Sequence, residues 1–229
     1  QQGIVDEAAA KASLQESLER AGLTLKDLRF MITTGYGRSM VKFGQKNITE
    51  ISCHARGADY LYPGVRTVID IGGQDSKVVA LDGHGRVMNF AMNDKCAAGT
   101  GRFIEVMARA LGITLQEMEV FSFKAQKASH VSSICTVFAE SEIISLVAQG
   151  NPKTDIIAGI HEAIGRRMLS LTKHTGIFPP VMMSGGVAKN KAVVDVLERM
   201  LDTEIAVSEE PQIVGALGAA LFALDEIKS

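Results

Sequence analysis

The chain has 229 residues, with 24 Lys and Arg against 26 Asp and Glu, so its formal net charge at pH 7 is −2. Neither sign is concentrated in one stretch, which argues against nucleic acid or an anionic membrane surface as a partner and leaves small molecules and proteins. No apolar run reaches the roughly 18 residues of a membrane span, and no secretory pattern opens the sequence, so we expect a cytoplasmic protein.

The first half of the chain predicts two helices around a short strand, followed by a β-meander. Helical spacing of apolar residues covers 6–21 and 49–61, and a short β-branched run covers 29–34. From residue 65 the pattern changes to β-branched runs separated by glycine-containing turns, which is typical of antiparallel strands. The three predicted meander strands are 65–71, 76–81 and 86–92.

The second half is mainly helical, and strands interrupt it twice. Gly112 and Gly176 are expected to end helices, and Asn151 followed by Pro152 is a good N-cap and first-turn pair. The alternation of strands and helices predicts a mixed α/β fold. The predicted helices are 101–112, 114–125, 136–148, 152–175, 189–201 and 212–227, and the predicted strands are 180–183 and 203–207.

One turn of the meander has the composition of a phosphate-binding loop. Gly72 and Gly73 lack side chains, so their amides can approach a phosphate closely. Asp70 and Asp75 flank them, and a carboxylate beside a phosphate is useful when it binds Mg²⁺ or orients a water. An ordinary polar hairpin turn is the alternative interpretation.

Two further glycine turns strengthen the nucleotide interpretation. Gly99-Thr100-Gly101 precedes a predicted helix, and the segment 184–190, Ser-Gly-Gly-Val-Ala-Lys-Asn, connects a predicted strand to a helix. Such turns place backbone donors and the positive end of a helix where a nucleotide can bind. Three of them in one chain favour a nucleotide site.

Two of the three cysteines, Cys96 and Cys135, precede predicted helices. An odd number of widely spaced cysteines argues against a disulfide framework, and the partial positive charge at a helix start favours thiolates. Two thiolates are half of the shell of an iron–sulfur cubane, so a symmetric dimer that donates a pair from each subunit is the simplest complete site. The alternative is two buried cysteines that act as small apolar side chains.

Five segments together resemble a known protein family. They are 70–75 (Asp-Ile-Gly-Gly-Gln-Asp), 93–102 (Asn-Asp-Lys-Cys-Ala-Ala-Gly-Thr-Gly-Arg), 135–142 (Cys-Thr-Val-Phe-Ala-Glu-Ser-Glu), 184–190, and 215–220 (Gly-Ala-Leu-Gly-Ala-Ala). In this order they look like the ATP-dependent activators, or component A, of 2-hydroxyacyl-CoA dehydratases, and they are also similar to the ATP-binding subunits of benzoyl-CoA reductases. The resemblance runs from about Thr33 to the C-terminus.

The resemblance implies the ribonuclease H-like fold of the actin, sugar-kinase and chaperone-ATPase superfamily. Residues 1–229 would form one two-lobed ATPase unit, with approximate lobes 1–95 and 96–229 and the C-terminal helix packed back on the first lobe. That superfamily holds phosphate between two hairpins, whereas this sequence passes from Gln1-Gln2-Gly3 directly into a helix. We therefore expect the first hairpin to be missing from this chain, and ATP binding and hydrolysis to be weak.

The resemblance also implies roles for individual residues. Asp70 would bind Mg²⁺ or handle the attacking water, with Gln74 as the second catalytic residue. Cys96 and Cys135 of each subunit would hold one [4Fe–4S] cluster on the twofold axis of a homodimer. The residues that would bind ATP or ADP are Gly72, Gly73, Gln74 and Asp75 at the phosphates, Gly99, Thr100, Gly101 and Glu105 on the other lobe, and Gly185, Gly186, Val187 and Asn190 at the adenosine end.

The activity that follows from this resemblance is ATP-driven electron donation. A ferredoxin or flavodoxin would supply one electron, ATP would change the angle between the lobes, and the electron would pass to a 2-hydroxyacyl-CoA dehydratase. Three alternatives stay open: an ATP-binding subunit of a benzoyl-CoA reductase, a small-molecule kinase of the same superfamily, and a non-enzymatic nucleotide-dependent assembly module.

Overall fold

A computed structural model describes residues 7–131 and 135–228 of the chain. Its centre is a five-stranded sheet in the order β5-β4-β3-β6-β7. The three strands of the predicted meander form it, with β3 antiparallel to β4 and β4 antiparallel to β5, and β6 and β7 extend it in parallel. The sheet strands are β3 (Thr67–Ile71), β4 (Ser76–Leu81), β5 (Val87–Asn93), β6 (Val181–Ser184) and β7 (Ile205–Val207).

Eight α-helices surround this sheet in the described part of the chain. The predicted start of the first helix, Asp6, lies outside the described residues. The helices are α1 (Glu7–Ala21), α2 (Glu50–Leu61), α3 (Gly101–Leu111), α4 (Leu115–Ser122), α5 (Thr136–Ala148), α6 (Lys153–Thr175), α7 (Lys191–Leu201) and α8 (Val214–Lys228).

Local chemistry explains several of the helix ends. Gly112 ends α3 in the left-handed conformation at φ 64°, as its position in the sequence predicts. Thr114 caps α4 through a reciprocal pair of bonds with Glu117. The expected Asn151 cap is wrong: Pro152 occupies the N-cap of α6, and the Asn151 side chain donates to the carbonyl oxygen of Leu146 instead.

The predicted strand 29–34 is shorter than expected. Only Ile32–Thr33 (β1) is extended, and it pairs in parallel with Lys46–Asn47 (β2), a two-residue strand that the sequence pattern does not predict. These strands form a separate small sheet.

The strands alternate between two cores, one on each face of the large sheet. Ile69 and Met183 pack with α3, α6 and α7 on one face, whereas Val68 and Met182 pack with α2 and Val214 on the other. This alternation is the period-2 pattern of a strand covered by helices on both faces.

Helices α2 and α8 approach each other at glycines. A Cβ on Gly57 would overlap the carbonyl oxygen of Val214, and a Cβ on Gly218 would overlap that of Cys53. The C-terminal helix therefore lies directly on α2. None of the helices described in residues 7–131 and 135–228 has the length and apolar character needed to cross a membrane.

Candidate functional site

A cleft of about 970 Å³ collects the glycine turns that the sequence singles out. This volume is in the range of small-molecule and cofactor sites. Three of its walls come from the predicted segments: the turn after β3, the segment from the end of β5 into α3, and the segment between β6 and α7. The start of α4, with Leu115, Gln116 and Glu119, and Gln212 complete the lining. The predicted site residues that line it are Gly72, Gly73, Gln74, Cys96, Gly101, Glu105, Gly186, Val187 and Asn190.

The turn between β3 and β4 forms the first wall. Its ends are closed by the amide of Gly72, which donates to the carbonyl oxygen of Asp75 at 2.9 Å, and the strands pair again at Ile71 and Ser76. A Cβ on Gly72 would lie 2.7 Å from Oδ1 of Asp75. A side chain at position 72 would therefore displace the Asp75 carboxylate from its place against the turn.

The start of α3 is bonded to this turn. The amides of Gly101 and Arg102 donate to the carbonyl oxygens of Gly72 and Gly73, each at 2.8 Å. A Cβ on Gly101 would lie 3.2 Å from the Gly72 oxygen, so the contact is backbone to backbone. The first amides of α3 therefore hold the turn in place, and they do not point freely toward a ligand.

Gly99 and Thr100 are buried behind the cleft wall. Gly99 has a φ of 85°, and a Cβ there would lie 2.5 Å from Cγ of Arg167. The Thr100 hydroxyl donates to the carbonyl oxygen of Ala97 at 2.7 Å. Both residues shape the bend before α3 rather than face the cleft.

The third wall is held against the first by Gly185. A Cβ on Gly185 would overlap the carbonyl oxygen of Ile71, and its amide donates to the carbonyl oxygen of Pro211 at 2.9 Å. Its φ of 88° and this close approach both require glycine. Gly185 thus supports the wall, and the next two residues, Gly186 and Val187, face the cleft.

Both polar atoms of the Asn190 side-chain amide make hydrogen bonds. Its Oδ1 accepts from the amides of Ala192 and Val193 at 3.0 and 3.2 Å and caps α7. Its Nδ2 lies 3.4 Å from Nε2 of His161, so the amide donates to the imidazole. The orientation of a predicted nucleotide-binding side chain is therefore set by its helix and by a buried histidine.

His161 is completely buried in α6. Because Nε2 accepts from Asn190, Nδ1 carries the proton and donates to Oγ of Ser122 at 2.9 Å. Burial lowers the pKa of His161 to about 4, so the ring is neutral at physiological pH. The sequence alone shows only a histidine within an apolar helix. Its two hydrogen-bond partners, Asn190 and Ser122, lie 29 and 39 residues away in the chain.

Asp70 lies behind the phosphate turn, with 3% of its surface exposed. Its Oδ2 accepts from Nζ of Lys77 at 3.0 Å, and its Oδ1 accepts from the hydroxyl of Ser184 at 2.9 Å. The Ser184 oxygen in turn accepts from Nδ1 of His54 at 3.0 Å. Both carboxylate oxygens are therefore occupied, and direct coordination of Mg²⁺ by Asp70 stays a prediction.

Lys77 lies among three carboxylates. Its Nζ is 2.7 Å from Asp75, 3.0 Å from Asp70 and 3.3 Å from Glu50, and only 3% of its side chain is exposed. Burial opposes charge on Lys77, but Asp70, Asp75 and Glu50 outweigh it and hold the pKa of the ammonium above its ordinary value.

The Asp70 carboxyl is stabilised in its charged form by the same contacts. Burial alone would raise the pKa of Asp70, but the charges of His54 and Lys77 and hydrogen bonds from Lys77 and Ser184 bring it below its ordinary value. Asp75 likewise pairs with Lys77 instead of lining the cleft. The charged cluster of Glu50, Asp70, Asp75 and Lys77 therefore supports the turn from behind.

Lys77 is not among the predicted site residues, although the sequence carries a signal for it. A hairpin closed by the Gly72–Asp75 turn pairs residue 70 with residue 77, which is the observed register. A lysine within the otherwise apolar run 76–81 therefore had to meet Asp70 across the strands.

The two cysteines of the predicted cluster occupy different settings. Cys96 lines the cleft, on the segment between β5 and α3. Cys135 is the N-cap of α5, and its side chain makes no capping hydrogen bond. Within the described residues, no three His, Cys, Asp or Glu side chains are grouped so that they could hold a metal ion.

Comparison with known proteins agrees with this architecture. The model of the BadF/BadG/BcrA/BcrD ATPase family matches residues 4–223. A 2-hydroxyisocaproyl-CoA dehydratase activator from Clostridioides difficile is 48% identical over 215 residues, which cover 94% of this chain and 81% of that protein.

Solved structures give the same result at the level of the fold. The activator of the 2-hydroxyisocaproyl-CoA dehydratase from Clostridium difficile, with bound ADPNP, is 48% identical with a TM-score of 0.90, covering 94% of this chain and 80% of that one. MreB 5 of Spiroplasma citri, bound to AMPPNP, is 14% identical with a TM-score of 0.57, covering 98% and 77%, and shows the fold alone. The predicted actin-like fold class is confirmed. The chain belongs to the BadF/BadG/BcrA/BcrD ATPase family.

Proposed function

We propose that the protein is an ATP-driven one-electron donor that activates a 2-hydroxyacyl-CoA dehydratase through a [4Fe–4S] cluster shared by two copies of the chain. The observation that carries the proposal is the position of Cys96. Cys96 lines the same cleft as Gly72 and Gly73. Thiol chemistry and nucleotide binding therefore share one surface.

Nucleotide binding is supported by the turn geometry and by a relative. Gly72, Gly73 and Gln74 line one part of the cleft, and Gly186, Val187 and Asn190 line another. The solved Clostridium difficile activator carries ADPNP. We place the phosphates at the Gly72–Gln74 turn and the adenosine near Asn190, with Gln74, which is exposed at the turn, orienting the attacking water.

The residues around the cysteines fit an anionic cluster. Cys135 is the N-cap of α5. The first backbone amides of a helix have no hydrogen-bond partner within that helix, and their partial positive charge favours the thiolate form of a nearby cysteine. The buried hydroxyl of Thr136 has no hydrogen-bond partner among the described residues and is available to a sulfur ligand. When bound, the cluster would supply a low-potential electron.

A second copy of the chain is needed because two cysteines supply half of the shell. Helix α5, which begins after Cys135, carries apolar side chains that no residue in 7–131 or 135–228 covers. Exposed apolar side chains grouped on one helix often mark a site of protein contact, so they support a subunit contact beside Cys135. The side chains are Val137, Phe138, Ile144 and Val147, which are 67%, 69%, 58% and 47% exposed.

The backbone offers a direct connection between nucleotide and thiol. The carbonyls of Gly72 and Gly73 accept from the start of α3, and Cys96 lies five residues before that helix begins at Gly101. A displacement of the turn when a phosphate leaves would therefore shift the segment that holds Cys96. This coupling is how ATP would control release of the electron to the dehydratase, with a ferredoxin or flavodoxin as its source.

Purification without oxygen, followed by iron and sulfide analysis, tests the cluster. We expect about four irons per two chains in the wild type, and loss of iron in Cys96→Ser and in Cys135→Ser. Cys53→Ala is the matched control, because Cys53 is fully buried at the α2–α8 contact. Colourless, iron-poor wild-type protein would contradict the proposal.

A second experiment tests the partner. Reduced protein is mixed with ATP and an inactive 2-hydroxyacyl-CoA dehydratase, and dehydration of the acyl-CoA is measured. Activation that requires ATP and both Cys96 and Cys135 supports the proposal. Transfer of phosphate to a small acceptor, with no iron in the protein, would instead identify a kinase.

A further inference from the structure

Three cationic side chains line the cleft, and they differ in how their charge is compensated. Nη1 of Arg102 lies 3.2 Å from Glu105, and Nζ of Lys189 lies 2.9 Å from Glu210. Lys95 forms no ion pair or hydrogen bond with any residue in 7–131 or 135–228. Among the cations that the described residues place in the cleft, Lys95 is therefore the one whose charge a ligand could use without breaking a described pair.

The topology places Lys95 beside the phosphate turn. Strand β5 ends at Asn93, which is paired with Ser76, the residue that directly follows the turn. The chain therefore leaves β5 at the same end of the strands as the turn with Gly72 and Gly73. Lys95 lies two residues after Asn93.

The side chain of Asn93 anchors the backbone of the segment that follows β5. Its Nδ2 donates to the carbonyl oxygens of Cys96 and Ala98 at 2.7 and 3.1 Å. Its Oδ1 accepts from Nη2 of Arg167 at 3.0 Å. The backbone around Cys96 is thus anchored on its buried side, whereas Lys95 is exposed on the cleft side.

We infer that Lys95 binds the terminal phosphate of ATP and is the residue through which the cleft distinguishes ATP from ADP. The inference rests on the proposed nucleotide function and extends it to a residue outside the predicted set. An ammonium donates up to three charge-assisted hydrogen bonds, which are about twice as strong as neutral ones. ADP lacks the group that Lys95 would contact, and one peptide bond joins Lys95 to Cys96.

Through this contact, the backbone of Cys96 is held differently when ATP is bound than when ADP is bound. With the terminal phosphate present, Lys95 is held toward the turn and the backbone of Cys96 is fixed from the cleft side as well as through Asn93. After hydrolysis the cleft-side contact is lost and only the Asn93 bonds continue to hold the segment.

Equilibrium binding tests the phosphate contact. We expect wild-type protein with Mg²⁺ to bind ADPNP more tightly than ADP by calorimetry. Lys95→Met should weaken ADPNP by about tenfold and leave ADP within about twofold, since one charged hydrogen bond is lost. Lys95→Arg should retain the preference, and Lys189→Met, which removes a cation already paired with Glu210, should not abolish it.

Thiol labelling tests the connection to Cys96 without requiring electron transfer. In a Cys135→Ser background prepared in air, the rate of Cys96 alkylation is measured with no nucleotide, with ADP and with ADPNP. ADPNP should slow labelling more than ADP does. Lys95→Met should remove this difference between the nucleotides, because only the phosphate contact distinguishes them.

The outcomes separate this inference from the proposed function. Equal weakening of ADP and ADPNP by Lys95→Met, or no weakening of either, overturns the role of Lys95 and leaves nucleotide binding intact. Wild-type protein that binds neither nucleotide overturns both. Thermal unfolding of Lys95→Met should match the wild type because Lys95 has no partner to lose among the described residues, so a folding defect would also contradict the described geometry.

Discussion

Nζ of Lys77 lies 3.0 Å from Oδ2 of Asp70, and both side chains are almost completely buried. The same ammonium contacts Asp75 on the phosphate turn and Glu50 at the start of α2. One lysine thus joins the sheet, the turn and a helix. The shape of the turn therefore depends on a buried balance of charge behind it.

Lys77→Met should destabilise the protein by about 3–5 kcal/mol, because it leaves buried carboxylates without a counter-charge. Urea unfolding at pH 7 measures the loss. Lys42→Met, at an exposed lysine, is the control and should change the free energy of unfolding by less than about 0.5 kcal/mol.

A double variant identifies the cause of that loss. Asp70→Asn combined with Lys77→Met removes one of the uncompensated charges and should recover part of the lost stability. A cost below about 1 kcal/mol for Lys77→Met alone, or no recovery in the double variant, would show that this charge balance does not support the turn.

Much of the fold could be predicted from local patterns. The β-branched runs with glycine turns predicted the three meander strands, and Gly112 marked the end of α3. The strand Lys46–Asn47 could not be found this way, because two exposed residues have no periodicity and their pairing with Ile32–Thr33 is a tertiary contact.

The site was predictable where the chain itself forms the feature. The turn at Gly72–Gly73 and the cleft position of Gly186 follow from local sequence. The bond between Asn190 and His161 does not, since it joins residues from different helices. Burial of Asp70 behind the turn was also missed, because a carboxylate next to glycines looks accessible until Lys77 and Ser184 are placed against it.

Gly218→Ala should disrupt the contact between α8 and α2. The added Cβ would overlap the backbone oxygen of Cys53, and backbone cannot move as a flexible side chain can. We expect a loss of about 3 kcal/mol, at the upper end of overpacking effects, measured by urea unfolding. Ala220→Ser, on an exposed position of the same helix, is the control. Near-wild-type stability of Gly218→Ala would contradict the close approach of these helices.

His161 should make the folded state sensitive to acid. Below pH 6.5 the unfolded chain takes up a proton at this position, whereas burial keeps the folded ring neutral until about pH 4. The free energy of unfolding therefore falls as the pH is lowered through this window, by about 3 kcal/mol from this residue.

His161→Gln removes the titrating group and retains a donor and an acceptor for Ser122 and Asn190. Stability measured between pH 6.5 and 4 should depend less steeply on pH than in the wild type. His84→Gln, at an exposed turn, serves as the comparison. An unchanged pH dependence in His161→Gln would mean that the folded ring takes up its proton over the same pH range as the ring in the unfolded chain.

Phe138→Glu tests whether α5 forms the subunit contact. Phe138 is 69% exposed and lies three residues after Cys135, so a charge here would be buried without a partner in a dimer but solvated in a monomer. Light scattering should show conversion of a dimer to a 24.5 kDa monomer. Iron prepared without oxygen should be lost together with the dimer, because each copy would then offer only Cys96 and Cys135.

Nucleotide binding separates this effect from unfolding. The cleft lies within one chain, so ADPNP affinity of Phe138→Glu should stay within about twofold of the wild type. Val120→Glu places the same charge on a 50% exposed apolar position of α4 and should leave both dimer and iron unchanged. If Phe138→Glu remains dimeric with full iron content, the subunit contact lies on another face. If Val120→Glu dissociates the dimer instead, α4 is that face, and the exposed row on α5 has no part in holding the cysteines together.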